Sequence, residues 1–441
     1  MSISYTGQLP TTSPLSLTQL ITSDRYQQVI ENADAARARV REQLKHAKKT
    51  GATEANGDIM PVIKALEEYM PHITSIVDNE GVFRFTSQII TCWRLPFQSQ
   101  SSMANKTPLH GLSFEYIMVL FTYALALATL ANQYVARDKE DRWKHASAYI
   151  SKARGVVDYL RQCRSFQIIC NEPPASVPRD LSSATMSALS HMLCGASHML
   201  ILYKCDAETY LDGGAPSAGA NSGGFSSSLL LRTAIFARDQ FETASALLGE
   251  PVSKRKLVTS LVKEKSSKFS LSKKLHLRKD DGSPSLAPVS SFESNRDLSS
   301  TSSGTLDSLL SWLSRARGVA EGFVFKHMAI QAYENNQIGK AVGAAYAAIL
   351  QLEDVKIPQK SALYIPVTHL KETLNRHHAD YKADNDRLSF EPVPSPSELA
   401  QEWPSGRQVI SAQKWTPQTS LDLGEDTSSS APKYSGQGSY Y

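Results

Sequence analysis

Along most of the chain apolar residues recur every three or four positions, the period of a helix that buries one stripe. In 26–49, rich in Arg, Glu and Gln, Val29, Ala33, Ala36 and Val40 form such a stripe, and 50–57 with its two glycines ends the run. A second helix is predicted over 60–77, with Pro61 in the first turn, where a missing N–H costs nothing. Further helices are predicted over 114–137, 141–166, 180–204 and 228–248, with a Pro-rich break at 171–179 and Asp180 as a candidate cap. Between 82 and 93, Phe83, Phe85 and Ile89 alternate with polar residues, which predicts a short β-element.

One stretch is apolar on every side: IMVLFTYALALATLA, the fifteen residues 117–131. A spanning helix needs about 20 apolar residues, so this pattern predicts a helix buried inside a helical protein. Helices resume at Leu306. Asn335, Asn336 and Gly339 mark a turn, and Ala329, Ala332, Ala341, Ala345 and Ala348 alternate with Tyr333, Tyr346, Ile349 and Leu352. Small residues facing large ones in a helical hairpin are the packing signature of tetratricopeptide-like pairs. A last helix over 367–383 leads to Pro392, Pro394 and Pro396. Two insertions, near 212–227 and 250–304, and the tail 397–441 are poor in apolar residues and are expected to be disordered. The chain therefore divides into a helical unit over 1–396 and a Ser/Pro-rich tail.

Composition narrows the function. The chain has 441 residues, 41% hydrophobic and 20% charged, and a formal charge of +4, too small for a dedicated nucleic-acid binder. Five widely spaced cysteines without a CxxC pair indicate neither a disulfide framework nor a zinc module, and suit buried thiols in a reducing compartment. The opening MSISYTGQLPTTSPLSL has no basic start and no unbroken apolar run, so an intracellular location is expected.

Chemistry is hard to find. His377 and His378 are adjacent and point about 100° apart on a helix, which rules out the usual i, i+4 metal pair. His191, Cys194 and His198 sit among Met192, Leu193, Met199 and Leu200, more a core-facing surface than a metal site. Cys163 and Cys170 lie near Arg161 and Arg164, cations that could depress a thiol pKa, but no partner base is visible. HExxH, GxSxG and Walker patterns are absent, as are phosphate-cradling glycines in 212–227. The expectation is a protein that is no enzyme and takes no metal or cofactor.

Charge is concentrated in one place. Residues 254–279 hold ten Lys and Arg, among them Lys254, Arg255, Lys256, Lys263, Lys265, Lys273 and Lys274, against one Glu. The plain reading is a solvated insertion. Leu257, Val258, Leu261 and Val262 at helical spacing open a second: a basic amphipathic segment on an anionic membrane, where each basic residue near the surface contributes about 1 kcal/mol.

Four segments in order, HITSIVDNEGVFRFTSQIITCWRLPF, GLSFEYIMVLFTYALALATLANQ, AYENNQIGKAVGAAYAAIL and YKADNDRLSFEPVP, resemble the Bro-domain family of endosomal-sorting adaptors. The opening LPTTSPLSL and the Ser/Lys-rich insertion look most like the members that serve fungal ambient-pH signalling. The resemblance runs from about Thr6 to about Pro396. It implies an all-α, curved domain around a tetratricopeptide-like solenoid, acting as a monomeric, non-enzymatic adaptor. The implied partner is the C-terminal amphipathic helix of the filament-forming ESCRT-III subunit, held on an exposed apolar patch, along with other ambient-pH signalling components. The implied place is the cytoplasm, with recruitment to the plasma membrane or an endosomal surface. The implied outcome is proteolytic activation of a zinc-finger transcription factor; general endosomal sorting is the alternative. Carried over residue by residue, the patch falls on Leu200, Leu229 and Thr233. Thr233 replaces the family's leucine, and Leu230 or Leu231 could supply the missing contact. Leu200 and Leu229 could equally be ordinary core leucines.

Overall fold

A computed structural model describes residues 1–86, 89–97, 106–137, 141–172, 177–211, 225–249, 305–359 and 361–420. Helices dominate: α1 Gln27–Thr50, α2 Met60–Asp78, α3 Leu112–Ala136, α4 Arg142–Gln162, α5 Arg164–Cys170, α6 Ser183–Leu211 and α7 Ser227–Leu247. Beyond the second insertion follow α8 Thr305–Glu334, α9 Ile338–Glu353, α10 Tyr364–Asp384 and the short α11 Pro396–Gln401.

Local sequence explains these limits. α1 buries Ile30, Ala33, Ala36, Val40 and Leu44 and stops where Gly51 turns left-handed at φ 64°. Pro61 stands in the first turn of α2. α3, apolar all round, is the axle of the fold. Both α3 and α6 are long and apolar enough to cross a membrane, yet the relevant window of α3 is 100% buried and that of α6 83%. Each helix from α6 to α10 packs on its sequence neighbour, which builds the tetratricopeptide-like stack. In that stack Gly318 and Gly322 of α8 lie against Val355 and Leu352.

Strands are few and short. β1 Thr11–Thr12, β4 Ile90–Arg94 and β5 Thr107–His110 form an antiparallel sheet in the order β1-β4-β5, while β2 Ile21–Thr22 pairs with β3 Arg84–Phe85. β3 and β4 occupy the region where a β-element is expected. A buried charge cluster fastens this sheet to the helices. Arg37 Nε donates to Glu115 Oε1 at 2.8 Å and Nη2 to Thr12 Oγ1 at 2.9 Å, while Trp93 Nε1 donates to Glu115 Oε2 at 2.7 Å. A carboxylate as deeply buried as Glu115 is tolerable only with its lone pairs engaged in this way.

Four expectations are corrected. The helix expected over 141–166 breaks at Cys163, whose ψ of 152° separates α4 from α5. Asp180 does not cap α6: it is buried and accepts from Phe97 N at 2.8 Å, and Ser182 Oγ accepts from Thr185 N instead. The hairpin turn is made by Asn336, at φ 60°, whereas Gly339 lies inside α9 and is glycine because a Cβ there would stand 2.5 Å from Pro392 O. Finally, residues 397–420 are not a disordered tail but α11 and a strap docked on the helices. The insertion residues 212–224 and 250–304 and the last segment, 421–441, lie outside the described residues.

Candidate helix-binding face and the strap across it

After α11 the chain runs back over the stack as an extended strap, held by side chains far away in sequence. Trp403 packs edge-on against Phe325 of α8 with ring centroids 5.4 Å apart, beneath the Arg238 guanidinium of α7. Arg232 of α7 donates from Nε to Ser405 O at 3.1 Å, and its own carbonyl accepts from Arg407 N at 2.9 Å. Gly406 is needed at this crossing, since a Cβ would lie 2.8 Å from the backbone nitrogen of Phe236. On α6, His198 Nε2 accepts from the N–H groups of Val409 and Ile410 at 3.1 and 3.3 Å, while Nδ1 is 2.8 Å from Cys194 O. A carbonyl only accepts and an N–H only donates, so the imidazole is the neutral Nδ1–H tautomer. Burial pushes its pKa down, in keeping with that state. Farther on, Trp415 wedges between Tyr123 and Tyr159 over Gly155, and Ser420 N donates to Ser75 Oγ at 2.8 Å.

The residues expected to form an exposed patch are placed unevenly. Leu200 and Leu230 are each 2% exposed and Thr233 1%, so these three are sealed in the α6–α7 core. The Thr233 hydroxyl is spent on Leu229 O at 2.8 Å. Only Leu229 keeps solvent access, half-buried in the first turn of α7, which Ser226 caps through Leu229 N at 3.3 Å. The physical reason is that α6 and α7 carry apolar residues on several sides, so spacing alone does not say which side remains open. Ile201 and Phe225, both half-buried against the core, were not singled out by sequence, though Ile201 directly follows Leu200. The basic candidates Lys254, Arg255, Lys256, Lys263, Lys265, Lys273 and Lys274 lie outside the described residues.

Next to Leu229 a groove of about 450 Å³ runs between α7, the α8–α9 turn and the start of the strap. Leu231, Met328 and Ala332 lie at its base, each no more than 5% exposed, and its walls are polar, with Ser228, Arg232, Gln331, Asn335, Lys340 and Glu402. A mostly polar groove over a small apolar base, with half-buried Leu229 next to Ser228 in the chain, suits a partner that offers few apolar anchors among polar groups.

The remaining sequence candidates for chemistry have structural roles. His191 Nδ1 meets Gln240 Oε1 at 2.8 Å, linking α6 to α7, and His198 holds the strap. Among the described residues no three His, Cys, Asp or Glu side chains converge as a metal set. Burial raises the Cys163 and Cys170 thiols, the opposite of the activation that Arg161 and Arg164 suggest; Arg161 is instead turned towards Asp158 at 3.6 Å.

The comparisons with known proteins fall together. A family model described as a BRO1-like domain matches residues 13–432. A pH-response regulator protein palC of Cryptococcus neoformans is 22% identical over 519 aligned positions that cover 99% of each chain. Its counterpart of that name in Emericella nidulans is 24% identical over 236 positions, 46% of each chain. Among solved structures, ALIX in complex with the SIVmac239 PYKEVTEDL late domain superposes with a TM-score of 0.60 at 15% identity, covering 94% of this chain and 49% of that one. This chain thus spans about half of that ALIX chain. An ALIX BRO1 CHMP4C complex gives a TM-score of 0.57 at 15% identity, covering 94% and 96% of the two chains. At these identities the structural likeness speaks for the fold, a curved helical domain of this type.

Proposed function

Since the chain belongs to the family of BRO1-like domains, we propose that it is a non-enzymatic adaptor in alkaline-pH signalling. It grips the C-terminal amphipathic helix of the filament-forming ESCRT-III subunit. Two findings support this reading: whole-length similarity to a palC pH-response regulator, and a shared fold with an ALIX BRO1 domain solved with CHMP4C. The observation that carries it is the groove beside Leu229. It runs along α7 and α8 over the base formed by Leu231, Met328 and Ala332, the kind of surface on which an incoming helix lays anchors at i, i+3 and i+4. No covalent step is required; affinity comes from burying the partner's apolar anchors, and the polar walls fix orientation.

In this reading the protein moves from the cytoplasm to the plasma membrane or an endosomal surface. There it helps to assemble the machinery that proteolytically activates a zinc-finger transcription factor, and it is not itself the protease. Pull-down with the isolated C-terminal helix of the ESCRT-III subunit is the test. Leu229→Asp and Gln331→Trp, one beside the groove and one filling it from the rim, should each abolish capture while circular dichroism stays unchanged. Capture by both variants at wild-type strength would remove this face from consideration.

A further inference from the structure

The outward face of the three-stranded sheet carries positive charge that neither the core nor the groove uses. Along β4, Thr91 and Trp93 are buried, and Ile90, Cys92 and Arg94 turn the other way. Trp93 pairs with Thr107 in the register, so Lys106, one residue earlier, stands opposite Arg94 on the same outward face. Lys106 Nζ reaches back across β4 to Ser13 Oγ at 3.1 Å, and the Ser13 carbonyl accepts from Arg37 Nη1, also at 3.1 Å. One and two turns beyond Arg37 on α1 come Arg41 and Lys45. The Lys106 ammonium is lowered by burial first and then by Arg41, Lys45 and Arg94, which places all three cations within electrostatic reach.

Like charges facing each other on paired strands are destabilising, so an anion bound over them is favoured. Two other cations of α1 are paired: Arg39 meets Glu68 at 2.8 Å and Arg37 meets Glu115. Among the described residues no carboxylate pairs with Arg41, Lys45 or Lys106, and the buried Arg41 Nε has no hydrogen-bond partner.

We propose that Arg41, Lys45, Arg94 and Lys106 form a binding site for a polyphosphorylated anion of the inositol phosphate type, free or as a lipid headgroup. Guanidinium groups clasp phosphate oxygens in pairs and ammonium groups add point charge; four cations within electrostatic reach of one another match several phosphates better than one. Ile90, 43% exposed on the same face, gives a headgroup-bound membrane an apolar contact as well.

The full chain is titrated calorimetrically with inositol hexakisphosphate and floated with phosphatidylcholine vesicles with or without phosphatidylinositol bisphosphate. Saturable binding to the soluble compound alone assigns a free ligand, and flotation only with the phosphorylated lipid assigns a headgroup. The double variant Arg41→Gln, Lys106→Gln should weaken either binding by about tenfold or more, from the loss of two charge-assisted contacts. Its melting temperature should hold or rise, because repulsion is relieved. Lys45→Gln, at an exposed position, should weaken binding without moving the melting temperature, so that misfolding cannot mimic the result. A control pair, Lys356→Gln and Lys382→Gln, at exposed positions outside α1 and the sheet, should bind as the wild type does. The proposal is overturned if the wild type binds neither probe, if the site variants bind normally, or if the control pair loses as much affinity.

Discussion

Acidification should loosen the junction where α6, α8 and α10 meet. There Lys326 donates to Asp206, both buried, and His327 and His377 lie beside them, each with a buried Nδ1 lacking a partner among the described residues. Burial, reinforced by the Lys326 cation, pushes His377 down to about 4 and His327 well below its ordinary value. A histidine in the unfolded chain titrates near about 6.5. Between those values the unfolded state binds more protons, so stability is complete above about 6.5 and is lost as pH falls towards about 4. An interval of about 2.5 units at about 1.4 kcal/mol per unit amounts to about 3 kcal/mol for His377, with His327 acting in the same direction. Urea midpoints measured between about pH 7 and about pH 5 for the wild type and His377→Gln isolate this contribution, since carboxylate effects are common to both. The wild type should lose stability more steeply. Parallel curves would mean that His377 takes up its proton freely within the fold, and the reasoning from burial would be refuted.

Three further outcomes are expected. Gly339→Ala puts a methyl group 2.5 Å from Pro392 O and should cost about 1–3 kcal/mol, read as a lower melting temperature. Trp415→Ala removes the wedge between Tyr123 and Tyr159, so backbone amides of 409–420 should exchange faster and the strap should become a site of limited proteolysis, with helix content retained. Phe390 holds a left-handed φ of 53° while 76% exposed, so Phe390→Asn should preserve or raise stability by up to about 1 kcal/mol, measured in urea.

Helices were legible because one buried stripe on a long element leaves an unmistakable period, as in α1, and because α3 is apolar on every side. The strands were legible only where they alternate: β4 does, whereas β1 and β2 span two residues each, too few to show a period. Leu200, Leu230 and Thr233, expected on an exposed patch, are buried, because spacing fixes a helix face but not what lies against it. The strap is not legible because its hold comes from single contacts between residues far apart in the chain, His198 to Val409 across 211 residues among them. A signal was present all the same. Trp403 and Trp415 sit in the first part of an otherwise Ser/Pro-rich tail, and sequences that stay unfolded are poor in such residues.

The ribbon that crosses the stack has a practical consequence. Trimming the chain at Pro396, where its last long helix has ended and prolines gather, would strip cover from Phe236, Phe325, Tyr123 and Tyr159. The shortened protein would carry a counterfeit sticky surface, ready to take up any greasy peptide in place of the one it had lost. Partners captured by such a fragment would report on the amputation, and only molecules that keep the sequence through Ser420 present the surface a cell would meet.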